Sequence, residues 1–190
     1  KLAILREGWQ EEGDRWPEIV HNMQNRIGIS SGEMVTGNMG SEARMNYTMM
    51  GDNVNTAARL ESSAKQYGVY IQIADSTYQA VKEKVVVRDL DNVVVMGKNE
   101  PVKVWELISE VGQEPDQYKK ILPAYHEALD LYKNQEWSKA IDAFKASDEL
   151  EEMFGGRKTN PSRIYIPRCE HYQENPPGED WDGVWTLTSK

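Results

Sequence analysis

Asn55 and Arg59 stand four residues apart in NYTMMGDNVNTAARLE, residues 46–61, where helical spacing begins. On a helix that separation puts both side chains on one face. The unsatisfied N–H groups and the dipole of a helix start favour an anion there. An amide able to bond a sugar oxygen, beside a guanidinium able to grip phosphoryl oxygens, makes a reasonable nucleotide site. The same residues admit a plainer account, in which Asp52 or Asn53 caps the helix and Arg59 pairs with an acid such as Glu61 or Glu33. Spacing alone leaves both open.

The elements that must hold these residues follow from apolar periodicity. Arg26 to Ile29 and Met34 to Thr36, with Ser31 and Gly32 between them, predict a strand, a bend and another strand. Gly37 and Gly40 would serve the next turn, and Met45 to Met50 a third strand. Val54, Ala57, Ala58, Leu60 and Ala64 fall at helical spacing, and Gly68 stands where that helix would stop. GVYIQIAD reads as a strand, and DSTYQAVKEK as a short helix capped by Asp75 or Ser76. VVVRDL, NVVVM and PVKVWELI are β-branched strands. Alternation of this kind predicts an α/β or α+β sandwich, with helices laid on a sheet.

The organisation changes near residue 110. Residues 1–110 form the first unit, 111–118 a polar linker that takes in most of EVGQEPDQ, and 119–190 a helical tail. Ile121, Leu122, Tyr125, Leu129 and Tyr132 line one helix face, and Trp137, Ala140, Ile141 and Phe144 line a second. With Ala128 and Ala140 near their contact, the pair looks like one tetratricopeptide-type hairpin, which needs the first unit or a partner to cover it. Asn160 and Pro161 open a further short helix, and NPPGEDWDGVW reads as an extended strap docked by its tryptophans. The chain opens without Met, and Leu2, Ile4, Leu5 and Trp9 already mark a helix face. That start reads as the middle of a longer protein.

A formal charge of -9 argues against broad binding to nucleic acid, whose phosphates repel an acidic surface. The single cysteine, Cys169, allows neither an intramolecular disulfide nor a cysteine-built zinc site, which suits a reducing cytoplasm. No apolar run reaches the roughly 18 residues that cross a bilayer. Tethering to the membrane would need a region outside these residues. His21, His126 and His171 lack partners at metal spacing and read as surface or packing residues. Met39, Met45, Met49 and Met50 read as core or dimer-interface filler. Glu149, Glu151 and Glu152 read as a charged helix end, and Cys169 as a buried thiol.

RIGISSGEMVTGNMGSEARMNYTMMGDNVNTAARLE resembles the signature of the class III adenylyl and guanylyl cyclases in its bacterial form, and VVVMGKNEPVKVWEL resembles the family's closing segment. The likeness covers roughly residues 1–110, the C-terminal part of the family's catalytic domain. It implies a ferredoxin-like sandwich working as a homodimer, with active sites shared across the interface. The tail resembles an extension seen on some bacterial cyclases.

Carried over on that resemblance, Asn55 matches the asparagine that orients the ribose, and Arg59 the arginine that relieves charge building on the α-phosphate. Lys98, in MGKNEP, matches the lysine that holds the terminal phosphates. Thr48, in NYTMMGD, matches the base-selecting position, where a hydroxyl can accept from the adenine amino group. The implied reaction converts ATP to cyclic AMP and pyrophosphate with two divalent cations, Mg2+ or Mn2+. The metal-binding aspartates and the base-selecting lysine belong upstream of this segment, so these residues alone should be inactive. Asp52 does not match a metal ligand and is left to helix capping. Guanylate cyclase activity, or a non-catalytic module binding nucleotide or a protein partner, are the alternatives.

Overall fold

A glycine at the centre of a strand sets how closely a helix can lie on the sheet. In the computed structural model, which describes residues 2–94, 101–151, 158–178 and 180–185, that strand is β1 (Ile27–Ile29) and the helix is α3 (Asp52–Tyr67). A Cβ added at Gly28 would stand 2.0 Å from the Ala57 carbonyl oxygen and 2.5 Å from the Glu61 nitrogen. Backbone therefore rests directly on backbone.

The chain order is α1 (Leu2–Glu11), α2 (Glu18–His21), β1, β2 (Val35–Ser41), β3 (Arg44–Met50), α3, β4 (Ile71–Ala74), α4 (Asp75–Val81), β5 (Val85–Val94), β6 (Pro101–Glu110), α5 (Tyr118–Lys133), α6 (Trp137–Glu151) and α7 (Pro161–Glu174). Among the described residues the main sheet runs β1-β4-β6-β5, with β1 parallel to β4 and the other pairs antiparallel. The mixed α+β class is the one expected. Its core gathers Leu60, Ala64 and Tyr67 of α3 against Val69, Ala74, Leu90 and Val104. Gly68 ends α3 in the left-handed conformation with φ 65°, which only glycine adopts without strain.

Several local expectations change. Gly37 and Gly40 lie inside β2, and the turn falls instead at Glu42 and Ala43, because β2 and β3 pair without a break from Val35↔Met50 to Ser41↔Arg44. VVVRDL and Asn92–Val94 lie in one strand, β5, with irregularities at Val86/Val87 and Asp89/Asp91. The second of these turns both Leu90 and Asp91 inward, which strict alternation forbids. Asp75 is the first residue of α4, not its cap; its Oδ1 accepts from Trp105 Nε1 at 3.0 Å. α1 is helical, but Ile4 and Leu5 are exposed, so the predicted apolar face is not buried.

The tail packs on the sheet. Asn160 caps α7 through the Arg163 backbone N–H, with Pro161 in the first turn. α7 joins α5 and α6 around Tyr125, Ala128, Tyr132, Phe144, Tyr165 and Cys169. The tetratricopeptide-type reading is therefore not supported, since a third helix completes the cluster. Trp181 and Trp185 dock against it, each within 5.2 Å of the Tyr172 ring. Burial pushes the Cys169 thiol up to about 12, as an inert core residue.

Glu151 is the clearest correction to the reading of the helix end. It is buried, and its carboxylate takes Nη1 of Arg88 at 2.5 Å. Arg88 is fully buried and also donates from Nε to Glu106 at 2.8 Å. Burial works to lower its pKa, but the two carboxylates outweigh that and hold it above the usual arginine value. Glu149 is exposed, and Glu152 lies outside the described residues.

His126 of α5 accepts the Asp89 backbone N–H on Nε2 at 3.3 Å, which requires a neutral ring. Burial, the largest influence, lowers its pKa from the usual 6.5. As pH falls below about 6.5 the unfolded chain takes up this proton first, so the stability present above that pH is lost beneath it. Thermal midpoints taken between about pH 7.5 and 5.5 should fall, and His126→Gln should flatten part of the fall. Gly28→Ala should lower the midpoint by roughly 2–12 °C, from about 1–3 kcal/mol of overpacking. Differential scanning calorimetry checks both.

Candidate active site

The site is built where β3 hands over to α3. Gly51 makes the turn and occupies the cap position without any side-chain bond, so Asp52 is not the cap but the first helical residue. As an acid in the first turn it complements the helix dipole. Asn53 does the tying. Its Oδ1 accepts from Ser30 Oγ at 3.1 Å, and its Nδ2 donates to the Glu33 carbonyl at 3.2 Å. The β1–β2 loop is thereby pinned to the helix start. Ser31 and Thr77 share a hydroxyl contact at 3.0 Å, which joins the same loop to α4.

Asn55 and Arg59 follow one and two turns into α3, both exposed and on one face. The ion pairs proposed for Arg59 do not form: Glu61 pairs instead with Arg26, Nε to Oε1 at 3.2 Å. Among the described residues neither Arg59 nor the Asn55 side chain has a hydrogen-bond or ionic partner. Thr48 sits on β3 opposite Gly37, where an added Cβ would meet nothing within 4 Å. Space is thus open beside the threonine. Lys98 lies outside the described residues.

An opening of about 380 Å³, lined by Glu33, Met34, Val35, Met50 and Gly51, lies just ahead of the first turn of α3. Two further clefts of about 270 Å³ each lie elsewhere, around Gln24 and Tyr70. No group of three or more His, Cys, Asp or Glu side chains is placed to hold a metal among the described residues. The divalent cations used by the resembled family find no ligand set among the described residues. His126 and His171 pack against aromatic rings, as expected of packing histidines.

β2 and β3 form a two-stranded arm apart from the main sheet. Tyr47, Val35, Met45, Met50 and Met49 are 75, 66, 61, 59 and 53% exposed along it. Met45, Met49 and Met50 are therefore not core filler, whereas Met39 is half-buried. Together these side chains leave an apolar stretch uncovered on the arm among the described residues. No helix among the described residues is long and apolar enough to cross a membrane.

The family described as the adenylate and guanylate cyclase catalytic domain matches residues 9–109. The chain belongs to this family. It is 34% identical over 152 residues to the terminal-differentiation-specific adenylate cyclase of Dictyostelium discoideum, a match covering 78% of this chain and 7% of that one. Adenylate cyclase 1 of Rhizobium meliloti is 33% identical over 46% of this chain and 13% of its own. The chain thus spans a small part of the length of these relatives. Among solved structures, the adenylyl cyclase CyaB from P. aeruginosa aligns with a TM-score of 0.46 and 30% identity, over 59% of this chain and 54% of that one. The guanylyl cyclase Cya2 aligns with a TM-score of 0.37 and 34% identity, over 43% and 41%.

Periodicity located α3 and its exposed pair, but not the role of Asn53. No local signal marks it, because its partners Ser30 and Glu33 lie 23 and 20 residues away in the chain. Asn53→Ala should cost about 1 kcal/mol in urea unfolding and speed amide exchange in residues 30–34.

Proposed function

We propose that this chain supplies half of an adenylate cyclase active site, the half that positions the ribose and stabilises the transition state. The observation that carries the reading is the pairing state of α3. Asn53 and Glu61 are engaged by neighbours, whereas Asn55 and Arg59 stand exposed on one face, their side chains without a partner among the described residues. Unengaged polar groups held by a packed helix are preorganised for a ligand.

In the proposed reaction the 3′-hydroxyl of ATP attacks the α-phosphorus, the bond to pyrophosphate breaks, and the hydroxyl proton is lost as cyclic AMP forms. Negative charge grows on the α-phosphoryl oxygens, and the Arg59 guanidinium meets it without reorganising. Asn55 orients the ribose. Thr48 accepts from the adenine amino group, with the base lying beside it over Gly37. Lys98 holds the terminal phosphates. The apolar arm of β2 and β3 covers a second copy of the chain, so that two copies share each site. Cyclic AMP made this way would serve signalling inside the cell.

Guanylate cyclase activity is the second reading, favoured by solved relatives such as Cya2; the Thr48 hydroxyl supports ATP. The complete gene product, assayed with Mn2+ and either ATP or GTP, distinguishes the two. Arg59→Ala should lower kcat for the preferred nucleotide by about 10²–10³-fold with a smaller change in KM. Equal turnover by parent and variant removes Arg59 from the mechanism. A parent that binds nucleotide without turnover is a non-catalytic module.

A further inference from the structure

The far end of α3 is anchored by the C-terminal helices. Tyr67, the last residue of α3, donates its hydroxyl to Oδ2 of Asp91 at 2.5 Å. Arg168 of α7 donates from Nη1 to the same oxygen at 2.7 Å. The other Asp91 oxygen accepts the Asn92 backbone N–H at 2.8 Å. Tyr67, Asp91 and Arg168 are only 4, 4 and 9% exposed, so these bonds act where water does not weaken them. One residue further on, a Cβ added at Gly68 would stand 1.9 Å from the carbonyl oxygen of Thr159, just ahead of α7. The helix end therefore meets the C-terminal segment at two points.

The chain of contacts continues outward. The Arg168 guanidinium lies 5.0 Å from the Tyr165 ring and 5.3 Å from that of Trp185, the residue by which the strap docks. Strap, Arg168, Asp91 and Tyr67 thus form one continuous path to α3. The start of α3 is held differently, by Asn53 bonds to an exposed loop. Of the two ends, the buried one is the pivot. Arg59 is eight residues before Tyr67, about 12 Å along a rigid helix, so a shift at the pivot is transmitted to the guanidinium.

We infer that the C-terminal helices are a positioning device for the active site: Arg168, through Asp91 and Tyr67, fixes the seat of α3, and loosening this contact lowers turnover. The inference deepens the reading above, since it rests on Asn55 and Arg59 being the working residues of α3. Arg168 and Tyr67 are positioning residues and touch no substrate. The alternative, that the bonds merely stabilise the fold, makes a different prediction for a variant that stays folded.

Tyr67→Phe provides it, because it removes only the hydroxyl and leaves the Arg168–Asp91 pair intact. In the complete gene product, amides in the last two turns of α3 should exchange with solvent faster. kcat should fall at least about threefold while KM stays within about twofold. Arg168→Met should reproduce both effects from the α7 side. Unchanged exchange in α3 of Tyr67→Phe overturns the inference whatever the activity. So does faster exchange with unchanged kcat, when Arg59→Ala is inactive in the same assay. If Arg59→Ala keeps the parent's turnover, the reading of the site fails by itself, and the exchange result alone then upholds or overturns the tether.

Discussion

The close approach of α3 to Gly28 is the constraint on which the rest of the structure depends. With helix backbone on strand backbone, the middle of the helix can come no closer to the sheet without a clash, while its two ends are set by Asn53 and Tyr67, and β1 is in turn fixed by its parallel register with β4 from Ile27↔Ile71 to Ile29↔Ile73. Everything of functional interest hangs on that seat. Gly51 delivers β3 to its start, Asn53 draws the β1–β2 loop over it, and Gly68 releases the chain into β4. Two exposed polar side chains can then be held in place without a bond of their own to any described residue.

The second organising feature is charge taken out of water. Arg88 and Asp91 lie three residues apart on β5, and each reaches a different tail helix, Arg88 to Glu151 of α6 and Asp91 to Arg168 of α7. Burying such groups is costly, and apolar side chains would join the surfaces at least as firmly. What the ions add is geometry: a guanidinium between two carboxylates fits in one arrangement, whereas an apolar contact tolerates sliding. The irregularity at Asp89/Asp91 makes this possible, since it lets one strand point neighbouring residues into the same interior.

How much was legible in the sequence divides along physical lines. The strands and helices of residues 26–110 could be read because apolar periodicity reports burial directly, and the glycine at 68 because a helix stop needs a left-handed residue. Asn55 and Arg59 were legible as a pair because i,i+4 spacing is a property of the helix alone. The buried ionic links were not. Glu151 lies 63 residues from Arg88 and Arg168 lies 77 from Asp91, and nothing local distinguishes a solvated glutamate at a helix end from one aimed into a core. The third helix of the tail was read, but its packing on α5 and α6 was not, which is why the pair looked like a lone hairpin. Pairing register in the arm was also hidden, because the glycines of β2 imitate a turn.

The arm has a consequence for the life of a newly made chain. Its seven-rung ladder closes through a two-residue turn, so its contacts are local and it can form early in folding, before the distant segments of the core have met. Its two strands pair with each other from the outset while Met45, Met49, Met50, Val35 and Tyr47 face water. For an uncovered chain, colloidal behaviour and not unfolding then sets the concentration it can sustain, and the rate at which that surface is covered competes with the rate at which chains stick to one another at random.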